Sequence, residues 1–273
     1  MKQDSDRAKQ MEEQKKRIDS VLNQIEHRVV VFSGKGGVGK TTVSVNLAYA
    51  LVKMNHKVGL LDADITGPNV PKMTGDSSPY RSGGDSRLIM PQVKDGLAVI
   101  SIAPLVPEDT PVIWRGPLRS GTIRQFLSDV MWGELEYLIA DLPPGTGDEV
   151  LTAVQDMHPQ MAIVVTTPQE VSLMDCRRAV NMAKKLEIPT IGVVENMAGL
   201  ICPYCGKEID ILGRGGGENM ARQMEVSFLG RIPMEIQTRI SGDQGRPMVL
   251  HEPESKTAAA FTEIAANLKA LFK

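Results

Sequence analysis

The sequence predicts an α/β fold: a single doubly wound domain with a mainly parallel central sheet. Three observations carry this expectation. Aliphatic runs of strand length alternate along the chain with stretches of helical periodicity, the pattern of strand–helix–strand units. No linker rich in Pro, Gly or Ser divides the 273 residues, a length that one large α/β domain accommodates. The first aliphatic run, Val29-Val30-Val31-Phe32, ends in a glycine-rich stretch that opens directly into a helical pattern.

Taken in order, residues 1–27 are strongly charged, with large aliphatic residues confined to Ile18, Val21, Leu22 and Ile25. Their helical spacing predicts a frayed extension ending in a short helix that docks on the main domain, residues 28–273. Next come Gly34-Lys35-Gly36-Gly37-Val38-Gly39-Lys40-Thr41-Thr42, which fit the spacing Gly, four residues, Gly-Lys-Thr. In that spacing backbone N–H groups wrap phosphates, while a lysine and a hydroxyl, here Lys40 and Thr41, meet charge and magnesium. The orphan N–H groups and positive dipole end of the following helix attract an anion before any side chain is counted. A glycine turn without chemistry is the competing explanation, and the flanking strand and helix argue against it. Lys35 is an addition that the general spacing does not demand; taken alone it is a surface lysine.

Residues 57–64 read as a strand ending in two carboxylates, Asp62 and Asp64, where an open α/β sheet faces its ligand crevice. Asp64 is the candidate for positioning an attacking water and Asp62 for a metal's water shell; two acids capping the next turn is the plainer alternative. Residues 73–86 have the composition of a loop. Asp95-Gly96, between two short apolar runs, signals a hairpin, which is expected to be an accessory feature. Trp114-Arg115-Gly116-Pro117 leads into a helix with Ile123, Phe126, Leu127 and Val130 inward. The strand over residues 135–141 closes on Asp141, an acid placed to hold magnesium through water or the Thr41 hydroxyl. Beyond it, Pro143-Pro144-Gly145-Thr146-Gly147-Asp148 forms a stiff turn, and the Gly145 N–H is a candidate sensor of a γ-phosphate.

Two further strands follow, residues 161–167 and 190–196, separated by a helix in which Cys176 reads as a small buried hydrophobe. Asn196 ends the second, and its amide can both donate to and accept from a base edge. A strand at 228–232 and an amphipathic helix at 254–272 close the chain. That helix has too few basic residues for a membrane surface and reads as core packing.

A formal net charge of -2 gives no general attraction for nucleic acid or acidic membrane, so neither is expected as a partner. No apolar leader and no run of about 20 apolar residues is seen, so the chain is expected to be cytoplasmic. Two of its three cysteines form Cys202-Pro203-Tyr204-Cys205, a pair able to chelate one soft ion or one cluster edge. One chain supplies only half a site, because the four histidines are scattered and no second such pair exists. Two chains facing each other across a two-fold axis would bring four cysteines together. A bridging iron–sulfur cluster, a bridging zinc and a redox dithiol all fit the motif alone.

Taken together, Gly-Lys-Gly-Gly-Val-Gly-Lys-Thr-Thr, Asp-Ala-Asp, Trp-Arg-Gly-Pro, Asp-Leu-Pro-Pro-Gly-Thr-Gly-Asp, Glu-Asn-Met and Cys-Pro-Tyr-Cys-Gly cover nearly the whole chain. In them the sequence resembles the Mrp/ApbC-type iron–sulfur cluster carrier ATPases, of the deviant Walker A group of P-loop NTPases with MinD, ParA and the nitrogenase iron protein. The resemblance implies ATP and magnesium at Gly34, Gly36, Gly37, Val38, Gly39, Lys40, Thr41, Thr42, Asp62, Asp141 and Gly145. It adds adenine contacts at Asn196 and Pro233, and a catalytic set of Lys35, Lys40 and Asp64 in which Lys35 reaches the partner's nucleotide across a homodimer. It implies a four-iron four-sulfur cluster shared between Cys202 and Cys205 of two chains and delivered to apoprotein recipients. Many bacterial members carry an additional small N-terminal domain, which is not expected here. The alternatives are a MinD- or ParA-like positioning ATPase and a zinc-bridged regulatory dimer.

Overall fold

A computed structural model describes residues 2–82, 88–107 and 114–272. The chain runs α1 (Lys2–Leu22), β1 (Ile25–Phe32), α2 (Lys40–Lys53), β2 (Val58–Asp62), α3 (Val70–Thr74), β3 (Arg81–Ser82), β4 (Ile89–Met90), β5 (Gln92–Lys94) and β6 (Leu97–Ile100). It continues through α4 (Gly116–Ser128), β7 (Leu135–Asp141), α5 (Asp148–Met157), β8 (Met161–Thr166), α6 (Glu170–Lys185) and β9 (Thr190–Glu195). The last part holds β10 (Leu200–Ile201), β11 (Glu208–Ile209), α7 (Gly216–Gln223), β12 (Ser227–Arg231), α8 (Ile236–Asp243), α9 (Met248–His251) and α10 (Lys256–Ala270).

The main sheet has the order β12-β9-β8-β1-β7-β2-β6-β5, parallel throughout except for β5. A parallel sheet covered on both faces needs strands that are apolar along their whole length. β8 and β2 are accordingly buried at every residue. One core, built around Phe126, Leu138, Val164 and Val180, lies under the face covered by α1, α4, α5, α6 and α7. The other, around Leu47, Leu60, Val165 and Phe261, lies under α2, α9 and α10. β1 sits at the middle with β7 and β8 as neighbours, so the loop that leaves its carboxyl end opens at the crevice where such sheets bind ligands.

Two expectations are corrected. Residues 2–27 do not form a frayed segment with a short helix: α1 is continuous from Lys2, and Ile25 already belongs to β1. Its good helix formers and pairs such as Glu12–Lys16, 3.0 Å apart one turn on, favour helix along the exposed side. Burial of Ile18 and Leu22, with Arg17 reaching Asp129 at 3.4 Å, docks its end beside α4. Nor is the Asp95-Gly96 hairpin an accessory: β5 and β6 do form it, but β6 also pairs with β2, so the hairpin is the edge of the main sheet. The loop expected over 73–86 contains the end of α3 and β3; residues 83–86 lie outside the described residues.

Candidate nucleotide and thiol site

Gly37 and Gly39 adopt left-handed conformations, with φ of 80° and 79°, that turn the chain from β1 into α2. No side chain caps the start of α2, which leaves its first N–H groups directed at the cavity beside it. Gly34 is required for a different reason: a Cβ there would lie 2.2 Å from the Asp175 carbonyl oxygen of α6.

Behind the loop stands a buried network of charge. The Lys40 side chain is 7% exposed and its Nζ lies 2.8 Å from Asp141 Oδ2. The same Asp141 oxygen accepts from Thr41 Oγ1 at 2.7 Å, while Oδ1 accepts from Ser44 Oγ at 2.6 Å. Ser44 escapes the motif reading, although it lies four residues beyond Lys40 and so on the same face of α2. Asp62 sits opposite Asp141 across β2 and β7 and is fully buried. It accepts from Ser101 Oγ at 2.9 Å and Val70 N–H at 3.3 Å through Oδ2, and from Asp64 N–H at 3.3 Å through Oδ1. Burial, and after it the nearby Asp141 carboxylate, pushes the Asp62 pKa up to about 8.

These elements border a cavity of about 770 Å³. Its wall includes residues 36–42, Asp64, Asn196 and Pro233, which brings both ends of the expected nucleotide site together, with Met73, Met197, Met234 and Ile236 adding an apolar side. Asp64 also caps its own turn, accepting from Thr66 Oγ1 at 3.1 Å and Gly67 N–H at 3.2 Å, so the plainer reading of that acid holds alongside its place in the wall. Asn196 Nδ2 donates to the Val38 carbonyl at 2.8 Å. Gly34, Lys35 and Gly145 are not in the wall. The Lys35 side chain is half-exposed, and Gly145 does not present a free N–H: it donates to the Ser33 carbonyl at 2.9 Å.

The cysteine pair occupies the turn of a separate ribbon in which β10 and β11 pair antiparallel. The Cys202 N–H donates to the Lys207 carbonyl and the Gly206 N–H to the Cys202 carbonyl, each at 2.9 Å, with Gly206 at a φ of 69°. Cys205 is exposed, Cys202 half-exposed, and Tyr204 between them is 97% exposed. Hydrogen bonds from the Tyr204 and Cys205 N–H groups, then from the Cys205 thiol, lower the Cys202 pKa. Cys176 behaves oppositely: burial pushes it up to about 12, in keeping with a structural thiol. Among the described residues no group of three or more His, Cys, Asp or Glu could hold a metal ion.

The ribbon is fastened at its base. The Ile201 N–H donates to the Met234 carbonyl at 3.0 Å and the Met234 N–H to the Gly199 carbonyl at 2.7 Å, so a residue of the cavity wall is hydrogen-bonded to the strand that carries Cys202. Where the excursion returns, the buried Glu195 carboxylate accepts from Gly215 N–H at 2.8 Å and Gly217 N–H at 2.5 Å. Gly217 is small for this reason, since a Cβ there would press on Glu195 at 3.0 Å, while Gly213 and Gly215 take left-handed φ values of 87° and 81°.

A strand, a glycine loop and a helix that set Lys40 and Thr41 against a strand-terminal Asp141 define a P-loop nucleotide-binding protein. Comparison with known proteins resolves the class further. The chain belongs to the NUBPL iron-transfer P-loop NTPase (ParA) family, whose model matches residues 24–269. A Methanocaldococcus jannaschii protein named iron-sulfur cluster carrier protein is 54% identical over 266 residues, covering 96% of this chain and 91% of its own. A Synechocystis protein of the same name is 45% identical over 90% of this chain and 71% of its own. Among solved structures, an Archaeoglobus fulgidus nucleotide-binding protein in complex with ADP matches with a TM-score of 0.78 and 37% identity, over 91% of this chain and 96% of that one. The Pyrococcus furiosus cell division ATPase MinD matches with a TM-score of 0.67 and 26% identity, over 90% and 99%. No helix among the described residues is long and apolar enough to cross a membrane.

Proposed function

We propose that the chain is a cytoplasmic ATPase that carries an iron–sulfur cluster, as cargo, between the thiols of two copies of itself and hands it to apoprotein acceptors. One observation carries the reading: a pair of thiols, one exposed and one half-exposed and together half a ligand set, sits on a ribbon whose base is hydrogen-bonded to Met234 in the wall of a P-loop cavity. A homodimer completes the set with four thiolates, the number that holds a four-iron four-sulfur cluster.

In the nucleotide half of the site, Lys40 leaves Asp141 for the β- and γ-phosphates, the loop N–H groups wrap the phosphate oxygens, and Thr42 meets the α-phosphate. The donors beside them are hard oxygens, which fits magnesium: Thr41 would ligate it, with Asp141 and Asp62 holding its water shell. When bound, the ion neutralises charge on the phosphates. Asp64 orients a water, whose oxygen forms a bond to the γ-phosphorus as the bond to the β–γ bridging oxygen breaks; ADP leaves and the water's proton ends on the inorganic phosphate. Lys35 of the second copy compensates the charge that develops. The Gly145 N–H exchanges its Ser33 carbonyl for a γ-phosphate oxygen, so loss of that phosphate restores the present hydrogen bond.

The base end favours adenine. One Nδ2 proton of Asn196 is held by the Val38 carbonyl, which fixes the amide, and its Oδ1 remains as an acceptor complementary to the adenine amino group. Pro233 lies in the same stretch of wall.

The double variant Cys202→Ser, Cys205→Ser tests the function. Cluster transfer to an apoprotein should disappear while ATP turnover stays within about twofold; transfer that persists would discard the reading. A MinD-like positioning ATPase has no need of exposed thiols. A zinc-bridged dimer uses the same pair, and stoichiometric zinc without iron or sulfide after anaerobic purification would favour it.

A further inference from the structure

The first residue beyond β6 is Ser101, and the register that pairs Leu61 with Ile100 sets it beside Asp62. Ser101 is fully buried and its hydroxyl has a fixed direction: Oγ accepts from the Ala103 N–H at 3.1 Å, which leaves its proton to be donated to Asp62 Oδ2 at 2.9 Å. Both backbone groups of Ser101 are gripped by one phenol. Tyr80 OH accepts from the Ser101 N–H at 2.7 Å and donates to the Ser101 carbonyl at 2.9 Å. The other donor to Asp62 Oδ2, the Val70 N–H, is longer at 3.3 Å.

We propose that Ser101, clamped by Tyr80, is a positioning residue that sets the Asp62 carboxylate for the magnesium-dependent part of nucleotide binding. The inference rests on the reading of Asp62 as a holder of the metal's water shell. Without the hydroxyl, Oδ2 keeps only the long Val70 bond beside an apolar methyl, and the carboxylate turns toward its remaining donors. Asp64 is drawn along, because its N–H donates to the same carboxylate. Tyr80 ties the segment just before β3 to the site: it holds the residue that holds Asp62. A serine that merely satisfied a core carboxylate would affect stability and bind no differently with the metal present or absent.

The test is the affinity of a non-hydrolysable ATP analogue for the full chain, measured by calorimetry with magnesium and again with EDTA. Ser101→Ala should lower the ratio of the two affinities about fivefold, the scale of one ordinary hydrogen bond, and leave the EDTA affinity within about twofold. Ser101→Thr, which keeps the hydroxyl, should restore the ratio. Tyr80→Phe, which deletes one oxygen and serves if Ser101→Ala does not fold, should lower it about twofold. Asp62→Asn should remove most of the magnesium gain, and adding Ser101→Ala to it should change nothing further. A Ser101→Ala ratio equal to wild type while Asp62→Asn lowers it would overturn the role of Ser101. Equal loss with and without magnesium would do the same. An unchanged ratio in Asp62→Asn would overturn the reading of Asp62 itself.

Discussion

Asp62→Asn should make the metal-free, nucleotide-free protein more stable, and more so as pH rises. The folded chain holds the Asp62 proton to about pH 8, against about pH 4 for an aspartate in an unfolded chain. Below pH 4 both states are protonated and the group has no effect. Between 4 and 8 only the folded state keeps the proton, so each rise in pH favours unfolding; above 8 the penalty is constant. At pH 7 three decades of proton affinity amount to about 4 kcal/mol, an upper bound that water entry on ionisation reduces to about 2 kcal/mol. For a chain of this size that is a rise of roughly 4 to 8 °C in melting temperature. Asparagine keeps one oxygen for Ser101 and Val70 and gives up only the long 3.3 Å bond from the Asp64 N–H. Thermal unfolding of wild type and variant in EDTA, from pH 4 to 8, gives a difference curve in which other titrating groups cancel. A flat difference, or a variant that melts lower at pH 7, would refute the argument. A carboxylate retained against such a penalty is what a metal-binding role demands.

Other outcomes follow from the same geometry. Iodoacetamide should label Cys202 first, at pH values below the ordinary thiol range, and Cys176 only in guanidinium; mass spectrometry of native and denatured protein checks both. Gly34→Ala forces a methyl onto the Asp175 carbonyl and should weaken ADP binding at least about tenfold in a fluorescence titration, the scale of one overpacked contact. Asn196→Ala removes both the bond to the Val38 carbonyl and the acceptor offered to the adenine amino group, so ATP affinity should fall about fivefold in a fluorescence titration, the scale of one hydrogen bond.

The phosphate loop and Asp141 were legible because their information is local. Nine consecutive residues fix the turn, and an acid closing an apolar run needs only the strand to be recognised. The amide at a strand end marks Asn196 as able to meet a base edge, but Pro233 is legible only through resemblance, since nothing in two separated strand ends says that they border one cavity. The Asp95-Gly96 turn announced its hairpin, but the pairing of β6 with β2 is non-local, and with it Ser101 stayed hidden. Ser44 could have been found from its place one turn beyond Lys40, although small hydroxyls in helices seldom signal anything. The charge of residues 1–27 points to fraying when solvation alone is counted, whereas helical pairs and two buried side chains order the segment. Glycines over 213–217 had no reading at all until the Glu195 carboxylate was seen at the start of α7.

Two thiols on one chain must become four before a cluster is held. Anaerobic reconstitution with iron and sulfide, followed by metal analysis and mass determination in solution, measures this directly. Four iron and four sulfide per two chains, in a species of twice the monomer mass that the double serine variant cannot form, is the expected result. A full complement of iron and sulfide on a solitary chain would contradict it.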